Sequence, residues 1–203
     1  MFFTPGNHKQ SGLDFNPFKA IVSPRPIGWI SSVGHDGGVN LAPYSFFNAI
    51  SDNPPMVGFS ASPGENGEKD SLVYIRETKE FVVNIVSRAM IDGMNASSAA
   101  LPRGQSEFDH AGLDKEKSNL VGAPRVANAP CQLECRLWDI IALPEASNGS
   151  RNNLVIGEVI GIHIDDSIVV DGKVDVTRYQ PVCRLGYKDY AAIETVFELT
   201  RPA

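Results

Sequence analysis

The sequence predicts a mainly β protein, a closed or nearly closed antiparallel barrel with a few short helices. Three observations predict it: apolar residues recur mostly with period two, no strand–helix–strand alternation runs along the chain, and Gly and Pro punctuate the apolar runs at uneven intervals. Period two places successive side chains on opposite faces of an extended chain, as a half-buried strand requires. Parallel strands need helical crossovers, so their absence favours an antiparallel barrel over a doubly wound sheet.

The first strand is expected over Ile27–Val33, with Ile27, Trp29, Ser31 and Val33 on one face and Gly28, Ile30 and Ser32 on the other. His35-Asp36-Gly37-Gly38 follows, and its glycines accept the positive φ of a tight turn, which makes Val33 to Ala42 a hairpin. Strands are expected at Met56–Ala61 and Phe81–Val86, with Gly64–Gly67 a plain loop between them. A helix is expected over Asp70–Glu80, where Leu72, Val73, Ile75 and Arg76 break the period and an Asp or Ser can cap the start. A second helix spans Ser87–Ala100 on the spacing of Met90, Ile91 and Met94, although Gly93 weakens it. Gly and Pro make Leu101–Pro130 loop-like, and the polar stretch Pro144–Asn153 separates two long strands, Leu133–Ile141 and Leu154–Ile164. A last strand is expected at Thr195–Leu199.

Length and composition bound the function. The 203 residues suit one domain over 1–203, and 42% apolar with 21% charged residues is ordinary for a soluble globular chain. No apolar run is long enough to span a bilayer, and the start lacks a basic segment followed by a long apolar stretch, so a cytoplasmic location without membrane partners is expected. The net charge of −6, with scattered Lys and Arg, argues against a nucleic-acid surface. If Cys131 to Trp138 is a strand, Cys131 and Cys135 lie about 13 Å apart on one face at ~3.3 Å per residue, too far for a disulfide. With the four histidines dispersed, no metal site is expected and the cysteines read as structural. Neither a G-x-G-x-x-G after a strand nor a G-x-x-x-x-G-K-[ST] is present.

Chemistry concentrates in the first half. Ser31 and Ser32 end a strand beside a hairpin, where they either cap the turn or serve the polar tail of a ligand. Asn40, Leu41, Ala42, Pro43, Tyr44, Ser45, Phe46, Phe47 and Asn48 combine aromatic and amide groups around a proline. Proline removes one backbone donor and forces the residue before it into an extended conformation, so the chain is expected to leave regular pairing here and free its amides. Such a segment suits an isoalloxazine ring, with apolar faces and a hydrogen-bonding rim; the alternative is a hydrophobic β-bulge with two buried aromatics. Ser62, Lys69 and Ser71 surround the start of the first helix, where free N–H groups and the dipole favour a phosphate, the alternative being an ordinary solvated helix start.

These residues resemble the flavin reductase-like family, which includes flavoredoxin. The resemblance rests on Pro24 to Val33, Asn40 to Asn48, Asp52 to Val57, Lys69-Asp70-Ser71 and Phe81 to Asn84. It continues through Asn95 to Ser98, Glu107-Phe108, Gly157 to His163 and Arg184-Leu185-Gly186 to Tyr190, covering nearly the whole chain. It implies an FMN-binding split β-barrel, Greek-key-like, and a homodimer with each flavin near the interface. On matching positions the ring would lie against Trp29, Ile30, Ser31, Ser32 and Asn40 to Asn48, and the phosphate near Ser62, Lys69 and Ser71, with Arg103 a further candidate. His163 and Tyr190 match family positions without an assigned role, and Tyr187 stands where members often have a second glycine. The activity implied is NAD(P)H-dependent flavin reduction with no catalytic protein acid or base. The alternatives are an FMN electron carrier serving an acceptor protein and a non-redox FMN-binding module.

Overall fold

The computed structural model describes residues 1–64 and 67–202; positions 65 and 66, within the expected Gly64–Gly67 loop, lie outside the described residues. A short helix α1 (Phe18–Ile21) and a two-residue strand β1 (Arg25–Pro26) lead into β2 (Gly28–Val33), β3 (Val39–Tyr44), β4 (Phe47–Asp52) and β5 (Pro55–Ala61). Helix α2 (Asp70–Thr78), β6 (Glu80–Ile85) and helices α3 (Ile91–Ala96) and α4 (Glu107–His110) follow. Next come the pair β7 (Lys115–Glu116) and β8 (Arg125–Val126), then the long strands β9 (Cys131–Ala142) and β10 (Asn153–Ile164). The last elements are β11 (Val169–Val170), β12 (Lys173–Val174), α5 (Val176–Tyr179), β13 (Val182–Arg184) and β14 (Tyr190–Ala192).

Seven strands form one antiparallel sheet in the order β3-β2-β6-β9-β10-β5-β4. Laid flat, strands spaced ~4.8 Å apart would separate the two edges by roughly 29 Å. Yet the edge strands β3 and β4 are joined by Ser45 and Phe46 alone, a link that reaches at most about 10 Å. The sheet must therefore curl until its edges meet, giving a split β-barrel. The Ser60 amide donates to the Phe46 carbonyl at 2.8 Å, which carries the β4–β5 pairing one residue into the link.

The barrel interior is filled by Ile30, Tyr44, Phe47, Phe59, Phe81, Val83 and Val155, with Leu72 and Ile75 of α2 packed into it. Two glycines make room for the large rings. A Cβ on Gly28 would lie 2.7 Å from the Phe47 ring, and one on Gly157 would strike Phe81. A second core forms outside β2 and β3, where Trp29, Leu41, Val86, Met94, Phe108 and Val182 meet under α3 and α4. Asn84 ties the layers together: its amide donates to the Trp29 carbonyl (2.9 Å) and the Ser31 hydroxyl (3.2 Å) and accepts from the Val126 amide (2.8 Å).

Several expectations need correction. Residues 195–199 form no strand; Val196, Phe197 and Leu199 stand exposed beyond β14, where no sheet edge pairs with them. The strand β4 was not foreseen, and the second helix shrinks to a 3-10 turn at Arg88–Met90 followed by α3. The segment around Pro43 does not leave regular pairing: β3 pairs with β2 from Val39↔Val33 to Tyr44↔Gly28. Proline is tolerated because β3 is an edge strand. The Leu41 amide points away from β2, to the Glu107 carboxylate, so strand alternation turns the Pro43 nitrogen to the same unpaired side. The hairpin at Val33–Ala42 stands, and Pro144–Asn153 is the loop between the paired strands β9 and β10. Among the described residues no helix is long and apolar enough to cross a membrane.

Candidate functional site

A cleft of about 390 Å³ lies where the free edge of β3 faces the N-terminus of α2 and the segment 97–107. Asn40, Ala42 and Pro43 line it from β3, Glu68 to Ser71 from the helix start, and Ser97 to Leu101, Arg103 and Glu107 from the far wall. A second cavity of about 310 Å³ shares Pro43 and Ser98 with it and extends past Ser45 to Arg184 and Tyr190. The two cavities are neighbours on either side of Pro43 and Ser98.

One end gathers free backbone donors and a lysine. Among the described residues, the backbone N–H groups of Asp70 and Ser71 in the first turn of α2 have no acceptor. Lys69, the residue before the helix, is half-buried with its Nζ 5.3 Å from the centre of the Tyr44 ring, and among the described residues no carboxylate lies within ion-pair distance of it. Burial lowers its pKa, and the Glu107 charge acts in the opposite sense. Arg103 is already engaged: its Nε donates to Asp70 Oδ1 and its Nη2 to the Glu68 carbonyl, both at 2.8 Å. It clamps the far wall to the helix start, which leaves Lys69 as the side-chain cation without a carboxylate partner.

Glu107 organises the floor. Its Oε2 accepts from Asn40 Nδ2 and from the Leu41 amide, each at 3.0 Å. Burial raises its pKa, opposed by the hydrogen bond from Leu41. Because Asn40 must turn its NH₂ to the carboxylate, its Oδ1 is fixed as an acceptor, and among the described residues this buried oxygen has no partner. Ser71 places its hydroxyl on that of Tyr44, whose phenol burial pushes up to about 12.

The sequence-predicted residues divide sharply. Asn40, Ala42, Pro43, Lys69, Ser71 and Arg103 come together in the cleft, and Ser45 lines the adjoining cavity. Trp29, Ile30, Ser31, Ser32 and Leu41 expose none of their surface and line neither cavity. Trp29 Nε1 donates to Ser97 Oγ at 2.9 Å, and Ser31 Oγ donates to the Pro124 carbonyl, so Ser31 anchors a loop. Tyr44 and Phe47 are core residues of the barrel, and Phe46 packs beneath Lys19 and Arg25. Asn48 and Ser62 are exposed and line neither cavity.

His163 lies outside both cavities, bonded through Nε2 to the fully buried Glu134, which also accepts from the amides of Asn119, Leu120 and Val121. Glu134 thus holds the loop at 119–121, and His163 is bonded to the same carboxylate. Cys131, Cys135 and Cys183 are free thiols. Glu107, Ser98, Met94 and Arg184 are site residues that the sequence reading did not assign. The signals available for them were Ser106-Glu107, a helix-start pair, and an arginine on a short late strand.

Residues 22–178 match the family described as the flavin reductase like domain. An uncharacterised protein of Aquifex aeolicus is 37% identical over 172 residues, covering 84% of this chain and 85% of that one. Among solved structures, nitrilotriacetate monooxygenase component B from Bacillus cereus superposes with a TM-score of 0.88 at 29% identity, over 98% of both chains. The 2-nitrobenzoate 2-nitroreductase of Pseudomonas fluorescens does so with a TM-score of 0.81 at 30% identity, over 95% of this chain and 94% of that one. A split barrel with a polar-to-apolar cleft along its edge strand and a match over most of its length make this chain a member of the flavin reductase-like family.

Proposed function

We propose that the cleft holds FMN, with its phosphate at Lys69 and the first turn of α2 and its ring system toward Pro43 and Ser45, and that the protein is an NAD(P)H-dependent flavin oxidoreductase. The observation that carries this reading is the polarity of two adjoining cavities: hydrogen-bond donors and Lys69 at the far end of one, the small apolar edge at Ala42 and Pro43 where they meet, and Tyr190 in the other. One phosphate-sized donor set, closed off by the Arg103 clamp, suits a mononucleotide. When bound, FMN supplies the hydride chemistry at its N5.

The chain's own residues bind, orient and dry the site. Lys69 and the α2 amides balance the phosphate charge. Asn40 Oδ1 offers a fixed acceptor for a donor of the flavin. Pro43, with no N–H to satisfy, presents a flat apolar contact, and Ser45 and Ser98 add hydroxyls where the cavities join. No side chain in the cleft is required as a proton donor, and Glu107 is committed to Asn40 and Leu41. The reading includes a single-domain, cytoplasmic homodimer, supported by exposed apolar side chains such as Trp138 and Ile162 on the outer face of β9 and β10, and an electron-acceptor partner, small molecule or protein.

Stopped-flow mixing of the FMN-loaded protein with NADH and with NADPH tests the activity. Rapid loss of the oxidised flavin absorption with either nucleotide is the expected result. A chain that retains FMN yet is reduced by neither would be an electron carrier or a non-redox binding module, and the reductase reading would fall.

A further inference from the structure

The second cavity has a chemistry of its own. Among the described residues that line it, Arg184 alone is charged, while Ile27, Pro43 and Met94 supply apolar wall and Tyr190 an aromatic one. Arg184 sits on β13 opposite Tyr190 of β14, with its guanidinium carbon 4.3 Å from the centre of the ring. Its Nη2 donates to the Tyr187 carbonyl, which pins the planar fork against the phenol. Among the described residues it has no carboxylate within ion-pair distance. A half-buried guanidinium held over an aromatic ring and, among the described residues, unmatched by an acid suits a planar anion.

We infer that this cavity is a second ligand subsite, specific for an aromatic ring bearing a carboxylate. The carboxylate would meet the remaining N–H groups of Arg184, and the ring would lie among Ile27, Met94 and Pro43. At about 310 Å³ the cavity falls within the roughly 300–1,000 Å³ typical of small-molecule sites. Because it shares Pro43 and Ser98 with the main cleft, its occupant would sit beside the flavin ring; that adjacency rests on the proposed FMN site, whereas the anion selectivity does not.

Calorimetric titration of the whole 203-residue chain, with and without FMN, using benzoate and neutral benzamide as probes, tests the inference. Benzoate is expected to bind about tenfold or more tightly than benzamide, the margin of one charge-assisted hydrogen bond. Arg184→Gln should remove that margin. Asn95→Asp, on the exposed side of the same cavity, should weaken benzoate and leave benzamide unchanged, which covers the case in which Arg184→Gln fails to fold. Equal binding of the two probes, or benzoate affinity unmoved in both variants, overturns the subsite. So does displacement of benzoate by NADH at matching affinity, which would assign the cavity to the nucleotide. Benzoate selectivity in a chain that binds no FMN would uphold the subsite and defeat the flavin reading; FMN binding without benzoate selectivity would do the reverse.

Discussion

Lys69→Met isolates the phosphate end of the proposed FMN site. Methionine keeps most of the aliphatic stem against Tyr44 and removes only the charge, so the barrel should fold as before. Arg103 is held by Asp70 and the Glu68 carbonyl, so it is not free to replace the missing cation. A hydrogen bond to a charged partner contributes ~1.5–3 kcal/mol, and half-burial of Lys69 limits solvent screening without abolishing it. At ~1.4 kcal/mol per decade, the FMN dissociation constant should rise about 10- to 100-fold. Flavin fluorescence quenching reads it directly, with riboflavin, which lacks the phosphate, as the internal control. Riboflavin affinity should stay within about twofold, because only the phosphate interaction has been removed. An unchanged FMN affinity, or an equal loss for both flavins, would refute the phosphate assignment.

Three further outcomes follow from the packing and the buried charges. Glu107→Ala leaves the Leu41 amide and Asn40 Nδ2 without their acceptor, which should cost ~2–4 kcal/mol in urea unfolding, with Glu107→Gln recovering part of it through its remaining carbonyl; a loss below about 1 kcal/mol would show the floor is not held this way. Gly157→Ala drives a methyl into the fully buried Phe81 and should lower stability by ~1–3 kcal/mol, an effect that a denaturant midpoint equal to the parent's would contradict. Glu134 is raised in pKa by burial, but the Asn119 amide, the His163 ring and the Leu120 amide outweigh this and hold it below the ordinary 4.5. Its contribution is thus present above pH 4.5 and lost as pH falls through the depressed value, so unfolding followed from about pH 6 to about pH 3 should show an acid limb that Glu134→Gln flattens. An identical pH profile in that variant would sink the assignment.

The strands were legible wherever burial on one face imposed period two: Trp29 against Ile30 and Phe81 against Val82 point to opposite layers, and both layers exist. The same signal misled at 195–199, where Val196, Phe197 and Leu199 are apolar in a strand-like spacing but no described strand pairs with them. Period two reports what a segment could bury, and pairing depends on a neighbour that the local sequence does not encode. The strand β4 went unseen for the opposite reason: Asn48, Ala49 and Ile50 are all exposed, so it carries no burial pattern although its backbone pairs with β5.

Between Asn40 and Asn48 the sequence points to aromatic faces and amides freed around Pro43, whereas the fold lines the cleft with an edge strand. The aromatic residues of this stretch line neither cavity: Tyr44 and Phe47 fill the barrel and Phe46 packs under Lys19 and Arg25. What reaches the cleft is the small, polar or donor-free remainder: Asn40, Ala42 and Pro43, with Ser45 in the next cavity. An edge strand offers its outer backbone row to whatever lies beside it. Here Glu107 takes the Leu41 amide, Pro43 removes the next donor, and the edge becomes a smooth wall instead of a template for another strand. Proline in this stretch is thus evidence for a ligand site through the edge it blunts, and a larger or donor-bearing residue at 43 should harm flavin binding more than it harms the barrel.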